Sequence, residues 1–326
     1  MASIMTNASA LTALQSLNST NKNLETTQSR ISTGYRVAEA SDNAAYWSIA
    51  TTMRSDNKAL STVQDTLGLG ASKVDTAYTG MNKAIETVNE IKNKLVSAAG
   101  STEADKAKIQ TEIAALQSQL EAYATSATFS GSNYLSVDTA THAVAGTHDG
   151  ASVVSSFNRA ADGSVSLSKI AIDVESIKLY DAATTDADDA GILEAIRDST
   201  GARDAAATVA VAGTYLATDG FAVSTLTVVG FNDEQIGQML GVVEGALNEM
   251  TDAATTLGAA KQRIDLQKEF TQSLMDSIDR GVGQLVDADM NKESTRLQAL
   301  QVQQQLGIQA LSIANGNSQS ILSLFR

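Results

Sequence analysis

The amino-acid sequence predicts a mainly α protein with an inserted α+β region. Both termini form long antiparallel helical arms of coiled-coil type, and a β-rich outer insert lies between them. Three observations carry this. Apolar residues at alternating steps of three and four run through both ends of the chain, the spacing of a helix seam. The 326 residues include no proline, so nothing interrupts the hydrogen-bond ladder of a long helix. From residue 128 to 231 the seam gives way to β-branched runs flanked by Gly and Asp.

The first arm opens with Leu14, Leu17, Asn21, Leu24, Gln28 and Ile31, an a/d seam with two polar interruptions, and stops at Gly34. The pattern resumes at Ile49 and continues through Met53, Asp56, Leu60, Val63, Leu67, Gly70, Val74, Ala77, Met81, Ala84, Val88, Ile91 and Leu95, a helix of about 70 Å. Gly100 closes it, and Ser101 or Thr102, the latter with Asp105 in a capping box, starts a returning helix striped by Ile109, Ile113, Leu116, Leu120 and Tyr123. In the insert, ASVVSSFNR, GSVSLSKIAIDVESIKLYD and FAVSTLTVVGF read as strands, and DAATTDADDAGILEAIRD as loop followed by a short helix.

Helical spacing returns behind the candidate cap Asn232 with Ile236, Leu240, Val243, Leu247 and Met250, then Leu257, Ile264, Met275, Ile278 and Leu285, diluted by Lys261, Lys268 and Thr271. A second joint is expected around Gly281 and Gly283. Beyond it Met290, Leu297, Gln304, Leu311, Ser318 and Phe325 recur every seventh residue, partnered by Val286, Leu300, Ala314 and Ile321. The near mirror symmetry predicts a hairpin in which the two halves pair, with the insert at the far tip. A two-helix seam leaves apolar surface uncovered, so the terminal helices need further copies around them.

Composition narrows the function. The net charge of −14 is concentrated in residues 128–231, with thirteen acidic and five basic side chains, while residues 1–40 and 286–326 are nearly neutral. The ends suit burial against partners and the middle suits water. With no basic stripe there is no support for nucleic-acid binding. The absence of cysteine removes disulfides, thiol nucleophiles and thiolate metal sites. No run reaches the length of a membrane span, and the opening MASIMTNASALTALQSLNST has neither the basic region nor the apolar run of a cleaved secretory signal.

No constellation carries catalysis or a cofactor. Asp287, Asp289 and Asn291 open like a calcium loop, but Glu293 and Gln298 occupy the positions of its glycine and closing glutamate, so a capped helix start is the better reading. Asp186, Asp188 and Asp189 read as a solvated loop, and His142 and His148 as surface residues. GLGASK, residues 68–73, lacks P-loop spacing and lies within a helical seam; its glycines serve flexibility or close packing. Asn21, Gln28, Gln304 and Ser318 either set register and permit sliding or merely tolerate a wet interface.

Four motifs together resemble one family. SRISTGYRVAEASDNAAYWSIA, residues 29–50, resembles the N-terminal signature of bacterial flagellins, L/I-S-[ST]-G-x-R followed by D-[DN]-A-A. DADMNKES resembles their D-A-D-[MF]-x-x-E element, FSGSNYL their F-x-G-x-x-L turn, and ANGNSQSILSLFR their C-terminal end. The resemblance implies an exported, extracellular filament subunit that polymerises with itself, alone or with other flagellins. Its further partners would be an export chaperone, cap and hook-junction proteins, with neither nucleic acid nor membrane insertion.

Residues 1–41 and 286–326 would form the inner core, 42–127 and 232–285 a helical shell, and 128–231 the solvent-facing domain. The joint, residues 34–47, would use Gly34, Arg36, Asp42, Asn43, Tyr46 and Trp47, with Ser41 or Asp42 capping the second helix and Ala38, Ala40, Ala44 and Ala45 allowing close packing. Tyr46 and Trp47 depart from the small or polar residues of many members. In TVNEIKNKLVSAA, the place where many flagellins carry the R-x-R-E-L-A-V segment read by an animal innate immune receptor, Glu90 and Lys92 replace the arginines, Asn93 the acid and Lys94 the leucine. Weak recognition is expected.

The rival readings are a hook–filament junction adaptor with the same terminal signatures, a membrane-inserting translocator, and an enzyme carried on the insert. Abundance in sheared surface protein separates the first, and vesicle leakage the second.

Overall fold

The computed structural model describes residues 7–138, 143–144, 147–148, 152–160, 162–182, 190–204, 208–212 and 219–323. Asp186, Asp188, Asp189, His142 and Phe325 lie outside them, and the side chains of His148, Ser318 and Ile321 are likewise outside the description. Five helices dominate: α1 (Ala8–Thr33), α2 (Ala44–Ala98), α3 (Glu103–Ser126), α4 (Asp233–Val286) and α5 (Met290–Ser323). Among the described residues, ten strands, most of two residues, run between α3 and α4, from β1 (Thr128–Phe129) to β10 (Asp219–Gly220). The chain is therefore mainly helical with a small β-containing insert. It divides into two compact units, one of residues 1–58 and 274–326, the other of residues 59–273, and α2 and α4 run through both.

In the unit of residues 59–273, α2 and α4 are antiparallel. Gln64 donates to Gln272 at 2.8 Å, Asp75 pairs with Lys261, and Lys92 with Glu244. These pairs keep one register across the unit. The seam beneath them is dry: Leu67, Val74, Met81, Val88, Ile91 and Leu95 of α2 meet Ile113 and Leu120 of α3 and Ile236, Val243, Met250, Leu257 and Ile264 of α4, all inaccessible to solvent. Each such side chain contributes roughly 1.5–3 kcal/mol, which stabilises helices whose length no propensity alone would hold. Lys261 lies at the surface, as a diluting residue should, but Thr271 is buried and bonds the Gln267 carbonyl.

The caps follow side-chain chemistry. Thr102 starts α3, its hydroxyl oxygen facing the Asp105 N–H and its proton donated to the Asp105 carboxylate at 2.8 Å. Asn232 starts α4 with a reciprocal box, accepting from the Gln235 N–H at 2.8 Å while Gln235 accepts from the Asn232 N–H. Gly70 takes the packing role: a Cβ there would sit 2.5 Å from Val153.

The insert corrects two expectations. ASVVSSFNR does form a strand, β6 (Ser152–Arg159), pairing antiparallel with β7 (Val165–Ala171) and sealing onto the core through Val153 and Ile170. FAVSTLTVVGF, expected as a strand, instead contains a 3-10 turn, Val223–Thr225. Phe221, Val223, Leu226, Val228 and Phe231 are buried and Val229 is exposed. Phe221 bridges to Arg197, the Ser224 N–H reaches the Leu193 carbonyl, and α3 adds side chains: Gln117 donates to the Val223 and Leu226 carbonyls at 2.9 and 3.0 Å, and Gln110 accepts from the Val228 N–H at 2.8 Å. The expected short helix in GILEAIRD is a turn, in which the Glu194 and Ala195 N–H groups both reach the Gly191 carbonyl.

The insert is pinned to α4 by charge and close packing. Arg197, almost wholly buried, grips Glu249 with two hydrogen bonds of 2.8 and 2.7 Å, and Arg203 adds bonds from Nη2 at 2.9 Å and from Nε at 3.1 and 3.3 Å. Beside them the turn at Gly201 rests on Gly241 and Gly245 of α4; a Cβ on Gly245 would lie 2.2 Å from the Gly201 oxygen.

Candidate functional site

The unit of residues 1–58 and 274–326 contains the two breaks in the helical arms and the terminal pair. Gly34 ends α1 with φ +76°, a left-handed turn that side chains with a Cβ resist. At the other arm α4 continues through Gly281 and Gly283, where the sequence predicts a joint, and stops only at Val286. The break is Asp287–Asp289. Asp289 then caps α5 by accepting from the Asn291 and Lys292 N–H groups, as a capped helix start requires.

The two breaks lie side by side. The Arg36 and Val37 N–H groups donate to the Val286 carbonyl at 2.6 and 3.2 Å, Ala288 returns a bond to the Gly34 carbonyl at 2.9 Å, and the Arg36 guanidinium reaches the Leu285 carbonyl at 2.8 Å. Beneath them Val37, Ala50, Val282 and Val286 make a small core of their own. Asp42 does not cap α2. Its carboxylate instead braces the loop, accepting from the Ala38 and Glu39 N–H groups, and Asn43 is the cap, accepting from Ala45 and Tyr46. Tyr46 and Trp47 remain about two-fifths exposed, and Arg36 and Arg54 lie over the rings of Tyr46 and Tyr35. Ile49, the start of the expected seam, is exposed as well.

α1 and α5 pack antiparallel, from Asn7 against Ala314 to Arg30 against Glu293. Asn7 caps α1 and also donates to the Ala314 carbonyl at 3.0 Å, Gln304 donates to Asn21 at 2.9 Å, and Arg30 meets Glu293 at 3.5 Å. Leu17, Leu24 and Ile31 face the seam as expected from their spacing. The alternate positions are one residue earlier than expected: Ala13, Thr20 and Thr27 turn inward, Thr27 to 1% exposure, while Leu14, Asn21 and Gln28 are on the exposed side. From α5 come Glu293, Leu297, Leu300, Gln304, Gly307, Leu311 and Ala314, in strict steps of four and three. Met290 is outside this set and 46% exposed. Sequence reasoning missed Thr27, Glu293 and Gly307, none of which carries the bulk by which a seam is recognised. Glu293 and Arg30 each leave one buried atom without a hydrogen-bond partner among the described residues.

Pairing leaves apolar side chains of both helices uncovered. Leu11 and Leu14 of α1 and Val302, Leu306 and Ile313 of α5 remain 43–67% exposed. Among the described residues there is no cluster of three or more His, Cys, Asp or Glu that would hold a metal, and no helix is long and apolar enough to cross a membrane. In the other unit, Glu90 and Asn93 are exposed, while Lys92 and Lys94 are engaged with Glu244 and Glu112.

Comparison with known proteins agrees with the motifs. Residues 4–140 match the bacterial flagellin N-terminal helical region and residues 240–325 the bacterial flagellin C-terminal helical region. The chain is 52% identical to flagellin C of Rhizobium meliloti strain 1021 and 51% identical to a flagellin of Brucella melitensis biotype 1, each over the full length of both chains. Flagellin A of Rhizobium meliloti is 45% identical, again with both chains covered completely.

Proposed function

Since this chain belongs to the bacterial flagellins, non-enzymatic subunits of the extracellular flagellar filament that drives motility, we propose that the paired helices α1 and α5 are the part of it that polymerises. One observation carries the reading. Leu11 and Leu14 of α1 and Val302, Leu306 and Ile313 of α5 stay exposed after the two helices have covered each other, apolar surface that water disfavours and further copies of the same chain would bury. Each buried side chain of this size contributes roughly 1.5–3 kcal/mol, set against the cost of ordering the tails.

On the same reading residues 1–41 and 286–326 supply the inner core, 42–127 and 232–285 the helical shell, and 128–231 the solvent-facing part. The loop from Gly34 to Trp47 is the joint. Passage through the flagellum's own export channel as an unfolded chain suits a sequence with no cysteine and no proline, since neither disulfide exchange nor X-Pro isomerisation delays refolding. The export chaperone, cap and hook-junction proteins are the remaining partners, on the strength of the family resemblance.

Removing residues 297–326 tests the assembly role. Filaments disappear from electron micrographs, while residues 59–273 keep their cooperative unfolding by circular dichroism; filaments of normal length would refute the assignment. The segment Glu90, Lys92, Asn93 and Lys94 is a poor match to the innate-receptor motif, with both lysines already paired to carboxylates. Purified monomer is expected to leave a receptor-reporter cell line silent, and strong signalling would show that the substitutions do not matter.

A further inference from the structure

Asn315 is the only asparagine in the chain followed by glycine. That pair is chemically unstable wherever the backbone is free, because the glycine nitrogen has no neighbouring side chain to block its approach to the asparagine amide. In this protein the pair lies inside α5, which runs to Ser323, with both residues exposed to solvent. The helix commits the Gly316 N–H to the carbonyl one turn back. It also fixes the Asn315 backbone in a conformation that keeps the side-chain carbonyl out of reach of that nitrogen.

The surrounding residues make this protection shallow. Ala314-Asn315-Gly316-Asn317-Ser318 holds four poor helix formers in succession, near the end of a helix that already contains Gly307. Local opening therefore costs less here than along Leu297–Leu311.

We propose that Asn315 is a self-modifying site gated by the folding of α5. When the helix opens, the Gly316 nitrogen loses its proton to solvent and bonds to the Asn315 side-chain carbon. The carbon–nitrogen bond of the amide breaks and ammonia leaves, giving a succinimide. Water then opens the ring to aspartate or isoaspartate, so the balance is one water consumed and one ammonia released. Either product adds a negative charge to an arm that is nearly neutral, and isoaspartate also adds a carbon to the main chain. The change falls next to Ala314, whose carbonyl holds the side chain of Asn7 at 3.0 Å, the tie between α5 and the cap of α1. Chains that linger with α5 unfolded thus acquire a permanent mark at the contact that joins their two ends, and chains with α5 folded do not.

The test incubates three samples at mildly alkaline pH: the full chain in solution, the full chain unfolded in urea, and sedimented polymer. Trypsin releases residues 297–326 as one peptide, in which tandem mass spectrometry separates Asn315 from Asn317. Conversion at Asn315 is expected to be fastest in urea and slower in polymer by about tenfold or more. Gly316→Ala is expected to suppress it even in urea. Equal rates in urea and polymer would overturn the proposal, as would conversion in urea centred on Asn317. The polymer arm rests on the assembly reading above. If no polymer forms, that reading fails, and the comparison of dissolved with urea-unfolded chain decides the gate alone: equal rates reject it, slower conversion in the folded chain supports it.

Discussion

Glu249 sets the acid sensitivity of the insert's attachment to α4. Burial pushes its carboxyl up, but the hydrogen bonds and positive charges of Arg197 and Arg203 outweigh this and hold it at about 2, against an ordinary 4.5. A carboxylate lowered in the folded state stabilises fully above its unfolded pKa, and the contribution is lost as pH falls through the folded value. The window is therefore from about 4.5 down to about 2. Glu194 works the other way: burial raises its carboxyl despite the hydrogen bond from the Asp181 N–H, so its ionisation costs stability as pH rises. Glu249→Gln separates the two. The variant is expected to unfold at lower urea than the parent at neutral pH and to lose the steep fall in urea midpoint across that acid window. An unchanged slope would mean that the three-way contact is not what titrates.

At the scale of elements, α4 holds the insert by backbone approach as much as by charge. Gly245→Ala places a methyl carbon 2.2 Å from the Gly201 oxygen. Relief requires the turn at 198–202 to lift, which also lengthens the Arg197–Glu249 contacts. A loss of about 1–3 kcal/mol in urea unfolding is expected, with helix content retained; a neutral variant would show that the turn yields freely. The sequence shows the helices well and their faces less well. Leu17, Leu24 and Ile31 mark one half of the α1 seam because leucine and isoleucine announce burial. The other half is Ala13, Thr20 and Thr27, each beside a larger residue that pattern reading prefers, and one residue on a helix is a turn of roughly 100°. Gly281 and Gly283 look like a break but stay helical because their neighbours Val282 and Val286 are buried. FAVSTLTVVGF has the composition of a strand; glutamines of α3 bond part of its backbone, which no local pattern discloses.

For the whole molecule, the mirror arrangement of two heptad arms around an acidic insert was legible from periodicity and charge, and so was the apolar surface that pairing leaves uncovered on the ends. What the copies would cover was legible only in part, since the exposed Leu11 and Leu14 of α1 and Val302, Leu306 and Ile313 of α5 become distinct from the inner seam once the two helices are paired. Leu14 is on the exposed side, although its spacing groups it with Leu17. The neutral arms and the acidic middle have separate tasks on this account: the arms exclude water together, and the middle keeps the assembled surface soluble.

The most direct measurement is seeded polymerisation, followed by sedimentation and negative-stain microscopy, of the parent chain beside Leu306→Ser/Ile313→Ser. Both substituted residues are exposed, so the double variant should keep the parent's circular dichroism and urea midpoint. The parent is expected to grow long filaments from short fragments, and the variant to remain in the supernatant. Filaments of equal length and yield from both would contradict the account, because the uncovered face of α5 would then not be what holds the copies together.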